Sequence, residues 1–293
     1  MAFNSFLFLL FLLITVTIFN LTPGRARLKI LFCFGYIWYA MWSVKLSIFL
    51  FLYTVTSYFS IKALMSVKNT EIQKKCIFLV LILQTAPLIY FKYTNFLLDN
   101  ISLVTSKLFS YQVAQSFEIL LPLGISFYVF QSISFSLDCV KQRKFLSHSF
   151  IEYSTYISFF PQLVAGPIVR FKTFQKNVKQ ITNNVALTDI AEGVKRIVIG
   201  LALKLLLADN LGVPVNQFFA TNFAGLSGWD VWTIAFLFGF QIYFDFSAYS
   251  QIAIGSALLF GIRLSDNFNY PYLAVTPKDF WLRWHISLSS WVR

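Results

Sequence analysis

Charge is scarce in this sequence. Asp, Glu, Lys and Arg together make up 12% of the 293 residues, against 57% hydrophobic and 19% aromatic. That balance excludes a water-soluble fold, which could not cover itself with so little polar surface. Cysteine is limited to Cys33, Cys76 and Cys139, with no CxxC and no Cys/His cluster. Neither a disulfide framework nor a metal site is therefore expected. Histidine occurs only as His148 and His285. A Gly-rich phosphate loop, a GxSxG elbow and an HExxH helix are all missing, which removes the common nucleotide-binding, serine-hydrolase and zinc-protease readings. With no repeat of fixed period and no low-complexity tract, residues 1–293 read as one all-α, polytopic membrane domain.

Acidic residues are few in their own right: 12 Asp and Glu face 24 Lys and Arg, a net charge of +12. In a soluble protein such an excess would suggest nucleic acid. Here the cations lie in short loops between apolar runs, as cytoplasmic loops do, so no nucleic-acid partner is expected.

What is present is a series of long apolar runs. "FNSFLFLLFLLITVTIFNL" has no basic residue ahead of it and no small-residue cleavage pattern behind it, so it reads as a retained first span over about 3–21. Arg25, Arg27 and Lys29 then place the next loop in the cytoplasm and the N-terminus outside. The run 28–61 holds two spans with an outer turn at 41–45, and the chain returns inside at Lys62, Lys68, Lys74 and Lys75. Further spans over about 76–91, 119–137, 190–208 and from Trp229 through about 255 to 261 bring the count to roughly seven. The neutral stretches 92–118 and 209–228 are expected outside, whereas Lys141, Arg143, Lys144, Lys195, Arg196 and Arg263 fall inside.

Residues 150–169 do not fit a simple crossing. They lie between two basic loops, the second carrying Arg170, Lys172, Lys176 and Lys179, and they contain Glu152, Pro161, Gly166 and Pro167. Broken backbone at membrane depth survives only where protein or a water-filled cavity satisfies it. This segment is therefore expected to be re-entrant or interfacial and to line a cavity.

Four polar sites are weighed for chemistry: the His285 segment, Asp245, Lys204 and His148. In "VTPKDFWLRWHISLSSWVR", Thr276 is a plausible cap, Pro277 suits the first helical position and Asp279 follows three after the cap, which predicts a helix from Pro277. On such a helix His285 would share a face with Trp281, Trp284, Leu288, Trp291 and Ser289. Two readings follow, a reactive histidine or an interfacial helix with an aromatic belt. Asp245 is a carboxylate inside an apolar span, where a charge costs roughly 2.5–3.5 kcal/mol. It is read as a hydrogen-bond node between helices or as a direct participant. Lys204, also within a span, is read as structural, with a stem long enough to snorkel. His148, beside the basic "KQRK", reads as a solvated loop residue.

Five segments together resemble the membrane-bound O-acyltransferase family, and in particular its bacterial branch of alginate O-acetyltransferases and teichoic acid D-alanyl transferases. They are "PLGISFYVFQSISF" (122–135), "FFPQLVAGPIVRF" (159–171), "LKLLLADNL" (203–211), "FQIYFDFSAYSQIAIGSALLFGIRLSDNFNYPYL" (240–273) and "FWLRWHISLSSWVR" (280–293). "VAGPIVR" brings the chain nearer to the polysaccharide O-acetyltransferases.

The resemblance implies acyl transfer, acetyl first, from a cytoplasmic thioester such as acetyl-CoA or an acyl-carrier thioester, through a tunnel, to hydroxyls of an extracytoplasmic polysaccharide. It implies no bound cofactor or metal. Besides the bilayer, the implied partners are an acyl carrier or an extracytoplasmic acetylation protein. His285 matches one of the family's two notable histidines and is the implied catalytic residue near the cytoplasmic face of a bacterial inner membrane. Asp245, Arg283, Trp284, Ser287 and Ser289 fall in supporting or tunnel-lining positions. The second histidine, membrane-embedded and implied by the resemblance to be the usual catalytic base, is expected a few tens of residues further on and has no counterpart before Arg293. The chain accordingly reads as the N-terminal part of an acyltransferase and is expected not to complete a turnover alone. A transporter or channel lined by Asp245 and segment 150–169 is the alternative from another class.

Overall fold

In a computed structural model, which describes residues 3–109, 119–147, 149–164, 166–220 and 227–292, the chain folds as thirteen α-helices with no strand among the described residues. Uninterrupted apolar runs leave the backbone only itself as a hydrogen-bond partner in a bilayer, and the α-helix is the open segment that satisfies every N–H and C=O internally. Among the described residues, four stretches are long and apolar enough to cross a membrane: Val44–Ser66, Thr70–Ser106, Leu187–Ala220 and Gly228–Leu258. The other three expected spans fall on shorter or less apolar helices: α1 (Phe6–Leu21), α2 (Arg27–Ala40) and α5 (Ile125–Gln142).

Two outer loops anticipated from hydropathy are helical instead. Helix α4 (Thr70–Phe109) has 40 residues and runs through the expected loop from 92 onward. Its length, about 60 Å at 1.5 Å per residue, is roughly twice a hydrocarbon core. Likewise α9 (Leu187–Ala202) passes through a π-helical segment, Leu203–Ala208, into α10 (Asp209–Ala220). The reason is local. Short polar side chains lower the hydropathy but fold back onto earlier carbonyls, as Thr94 does on Tyr90, Asn100 on Phe96 and Asn210 on Leu206 at 2.6, 2.7 and 2.8 Å. The remaining parts of those stretches, 110–118 and 221–226, and His148 lie outside the described residues.

Segment 150–169 is broken as its prolines suggest. Helix α6 (Phe150–Ser158) stops at Phe159, and a four-residue helix, α7 (Phe160–Leu163), follows with Pro161 in its first turn, where a missing N–H costs no hydrogen bond. Helix α8 (Phe171–Gln180) comes next.

The chain packs as two compact units, one of Gly35–Ser158 and Arg170–Lys172, the other of Met1–Phe34, Phe159–Val169 and Thr173–Arg293. In the first, α3 (Val44–Ser66), α4, α5 and α6 are joined by buried hydroxyls. Tyr53 bonds Ser132, Ser57 bonds Tyr153 at 2.9 Å, and Gln84 Nε2 donates to Ser136 at 2.8 Å. Such interhelical bonds and small residues are the usual adhesive between helices that gain nothing from leaving lipid.

In the second unit, α11 (Gly228–Leu258) packs closely on α9. A Cβ at Gly255 would stand 2.5 Å from the Gly193 carbonyl, and one at Gly200 would stand 2.7 Å from that of Ala248. Only glycine permits this approach. Nearby, Arg27 is buried, its guanidinium donating to the carbonyls of Thr22, Ile181 and Asn183 at 3.1, 3.0 and 2.5 Å and to Asn184 Oδ1 at 3.2 Å. It ties the end of α1 to the turn after α8.

Candidate functional site

The residues singled out at the C-terminal end come together beside α11. Helix α12 (Pro277–Arg283) begins as expected: the Asp279 N–H donates to Thr276 Oγ1 at 3.1 Å, and Pro277 is the first helical residue. One turn on, Arg283 Nε donates to Asp279 Oδ1 at 2.8 Å, so Arg283 is engaged in an ion pair on its own helix.

The continuous helix expected from Pro277 does not form. Helix α12 ends at Arg283, Trp284 is extended, and His285 takes a left-handed conformation with φ 43° before α13 (Ile286–Val292) begins. For a non-glycine residue this costs about 1 kcal/mol or more. The cause is competition for backbone groups. The Asn269 N–H donates to the Arg283 carbonyl, and the Ile286 N–H donates to the Asn267 carbonyl, both at 2.9 Å. The neighbouring loop thus takes bonds that a helix would have made, and the expected stripe of Trp281, Trp284, Leu288 and Trp291 is interrupted.

The turn sets His285 against α11, where its ring meets the edge of Phe246 with centroids 4.7 Å apart. Its Nε2 is buried with no hydrogen-bond partner among the described residues. Burial pushes the imidazole down from 6.5 to about 4, which leaves it neutral at pH 7. Ser287, two residues on, is almost fully buried, and its hydroxyl is likewise without a partner. Its N–H donates to Asn267 Oδ1 at 3.3 Å. The Ser289 N–H donates to the His285 carbonyl at 3.0 Å, which starts α13.

Trp284 is a packing anchor. It stacks on Phe280 at 5.5 Å and meets Phe268 edge-on at 5.1 Å, with Tyr272 alongside at 6.2 Å. The Tyr272 hydroxyl in turn donates to the Gly239 carbonyl on α11 at 2.7 Å. Asn267, Phe246 and Phe268 were not anticipated as part of this group. Two lie in a loop or an apolar run without chemical signature, and the third, Asn267, has a role visible only through its contacts.

Asp245 belongs to a different polar group. Its carboxylate accepts from Lys204 Nζ at 2.6 Å, and the same ammonium reaches Asp209 at 2.7 Å and lies over the Tyr249 ring at 5.5 Å. Lys204 therefore does not snorkel away from the span. It is the covered member, its side chain 16% exposed against 42% for Asp245 and 47% for Asp209.

Residues 30–293 match the model of the membrane-bound O-acyltransferase family. The chain belongs to that family. With its four apolar helices of spanning length, it is a multi-pass membrane protein. It is 36% identical over 295 residues to a probable alginate O-acetylase of Pseudomonas aeruginosa, an alignment covering 100% of this chain and 56% of that protein. A peptidoglycan O-acetyltransferase of Helicobacter pylori is 34% identical over 281 residues, covering 87% of this chain and 52% of the relative. Against a teichoic acid D-alanyltransferase of Streptococcus thermophilus the identity is 31% over 175 residues, covering 58% of this chain and 42% of the relative. This O-acyltransferase-family chain thus spans roughly half the length of the curated relatives it matches.

Proposed function

We propose that the protein carrying this chain is a membrane O-acyltransferase that moves an acyl group, acetyl first, from a cytoplasmic thioester to hydroxyls of an extracytoplasmic polysaccharide. The observation that carries the reading is His285, a neutral imidazole held in a left-handed turn, its buried Nε2 without a partner among the described residues. An unprotonated imidazole nitrogen is the form that accepts a proton.

In the step envisaged, an acceptor hydroxyl oxygen bonds to the thioester carbonyl carbon while Nε2 takes the hydroxyl proton. The C–S bond then breaks, and the proton passes from Nε2 to the leaving thiolate, so one ester replaces one thioester. Burial lowers the basicity of Nε2, but the hydroxyl becomes strongly acidic as the C–O bond forms, which is when transfer is needed. Ser287, with its own unpartnered hydroxyl in the same turn, supports the binding of polar groups there. Trp284 and the Arg283–Asp279 pair support the turn from the α12 side. The donor, as acetyl-CoA or an acyl-carrier thioester, and an acyl carrier or extracytoplasmic acetylation protein as partner, are parts of the same proposal. So are an inner-membrane location with the N-terminus outside and a single membrane domain over residues 1–293.

Acetyl transfer to polysaccharide is favoured over D-alanyl transfer because the alginate and peptidoglycan relatives align over 100% and 87% of this chain, and the D-alanyltransferase over 58%. Family membership favours an enzyme over a transporter. The reading is tested by expressing the full reading frame that contains residues 1–293 in a polysaccharide-producing host lacking its own O-acetylase. Ester-linked acetyl on the polymer, seen by proton NMR, is the expected result. D-alanyl esters on teichoic acid would support the second reading in its place.

A further inference from the structure

His285 occupies a backbone conformation that its side chain disfavours, so something outside α12 and α13 has to hold it there. The contacts converge on one residue. Asn267 is 1% exposed and uses three groups at once. Its carbonyl accepts from the Ile286 N–H at 2.9 Å, its Oδ1 accepts from the Ser287 N–H at 3.3 Å, and its Nδ2 donates to Ser250 Oγ on α11 at 3.1 Å. The first two bonds grip the chain immediately after His285, while the third fastens that grip to the long helix whose Phe246 packs on the imidazole. The neighbouring Asp266 is held from α9 by Arg196 at 2.5 Å, and Arg196 is also bonded to Gln251 of α11 at 3.1 Å. The loop bearing Asn267 is therefore fixed to both α9 and α11.

We propose that Asn267 is the positioning residue for His285: its side-chain amide sets the left-handed turn and fixes the imidazole against Phe246, with Ser250 as its anchor. An amide suits this role. Serine or alanine could not span from Ser250 to the Ser287 N–H, and an amide offers the acceptor on one side and the donor on the other. An aspartate keeps the acceptor toward Ser287, and Ser250 can reverse its hydroxyl to donate. It also places a negative charge beside the Ser287 N–H, two residues along the chain from the imidazole, which favours the protonated ring. That the positioned imidazole serves acyl transfer rests on the proposed function; the positioning itself does not.

The test uses the full reading frame containing residues 1–293 in lipid nanodiscs, with ring-labelled histidine and the His285 signal assigned by its loss in His285→Gln. Asn267→Ala is expected to displace that signal and to lower kcat for polysaccharide acetylation about 10²-fold, the scale of a misplacement near 1 Å, with KM changed far less. Asn267→Asp is expected to recover at least tenfold of that loss and to raise the pH at which His285 titrates. If Asn267→Ala fails to accumulate, Ser250→Ala removes only the anchor and is expected to displace the same signal. An unmoved His285 signal in whichever of these variants accumulates overturns the positioning role. So does a wild-type rate together with a wild-type signal. If the unmutated protein transfers no acetyl group, the proposed function fails while the NMR comparison still decides whether Asn267 sets the turn.

Discussion

Lys204 Nζ lies 2.6 Å from the Asp245 carboxylate and 2.7 Å from that of Asp209, so a single ammonium serves two acids inside a helical stretch of membrane-spanning length. The arrangement bridges α11 to the π-helical segment Leu203–Ala208, and such segments are rare within α-helices and frequent at functional sites. Removing the shared cation leaves two carboxylates facing one another without compensation. Removing one acid leaves a normal pair.

Lys204→Met is accordingly expected to lower the thermal midpoint of the protein in nanodiscs more than Asp245→Asn does. A double-mutant cycle on the two should give a coupling of at least about 0.5 kcal/mol. A coupling of zero in that cycle would show that the ion pair contributes nothing to folding. If Asp245→Asn also keeps both its membrane abundance and its acyl transfer, no essential charge resides at that position.

The α9–α11 contact gives a second expectation. Gly255→Ala would push a methyl group to 2.5 Å from the Gly193 carbonyl, and backbone cannot rotate away as a side chain can. A destabilisation of about 1–3 kcal/mol is expected, in the range of overpacked cores. Gly228→Ala, with nothing within 4 Å of the added atom, is the control and should leave the thermal midpoint unchanged. Matching midpoints for the two variants would contradict the close packing.

The low basicity of His285 predicts a pH dependence with a definite sign. Its folded value is pushed down to about 4 from the ordinary 6.5. Between those values the unfolded chain binds more protons than the folded one, so stability contributed here rises with pH across that window and is flat above it. Histidine ring shifts should report a neutral His285 at pH 5.5, in contrast to a solvated histidine. A His285 that titrates near 6.5 would place the imidazole in water and remove the buried Nε2 from the account.

Much of the fold is legible in the sequence, because long apolar runs admit only helices. The turn at 41–45 appears between α2 and α3, where Ser43 caps the Leu46 N–H, and the break in 150–169 falls beside Pro161. Hydropathy misleads at 92–109 and 209–220 for a physical reason: Thr94, Asn100 and Asn210 lower the apolar score yet bond back to their own helices, so the helices continue. At the candidate site, Thr276, Pro277 and His285 carry local signals and are found from spacing and resemblance. Asn267 is not, because its importance lies in bonds to residues 17 and 20 positions away. The left-handed His285 is hidden for the same reason, since tertiary hydrogen bonds override a sequence that locally reads as one helix. The pairing of Lys204 with Asp245, 41 residues apart, is likewise a product of helix packing.

In the proposed function, His285 is the proton-accepting group of an acyl-transfer site. The most direct measurement compares ester-linked acetyl on the polysaccharide made by cells expressing the full reading frame containing residues 1–293, with and without His285→Ala, at matched membrane abundance. The account predicts a loss of at least about 10²-fold in initial transfer rate, the smallest contribution typical of a positioned general base. A variant that transfers at the wild-type rate would contradict it and leave His285 an interfacial packing residue.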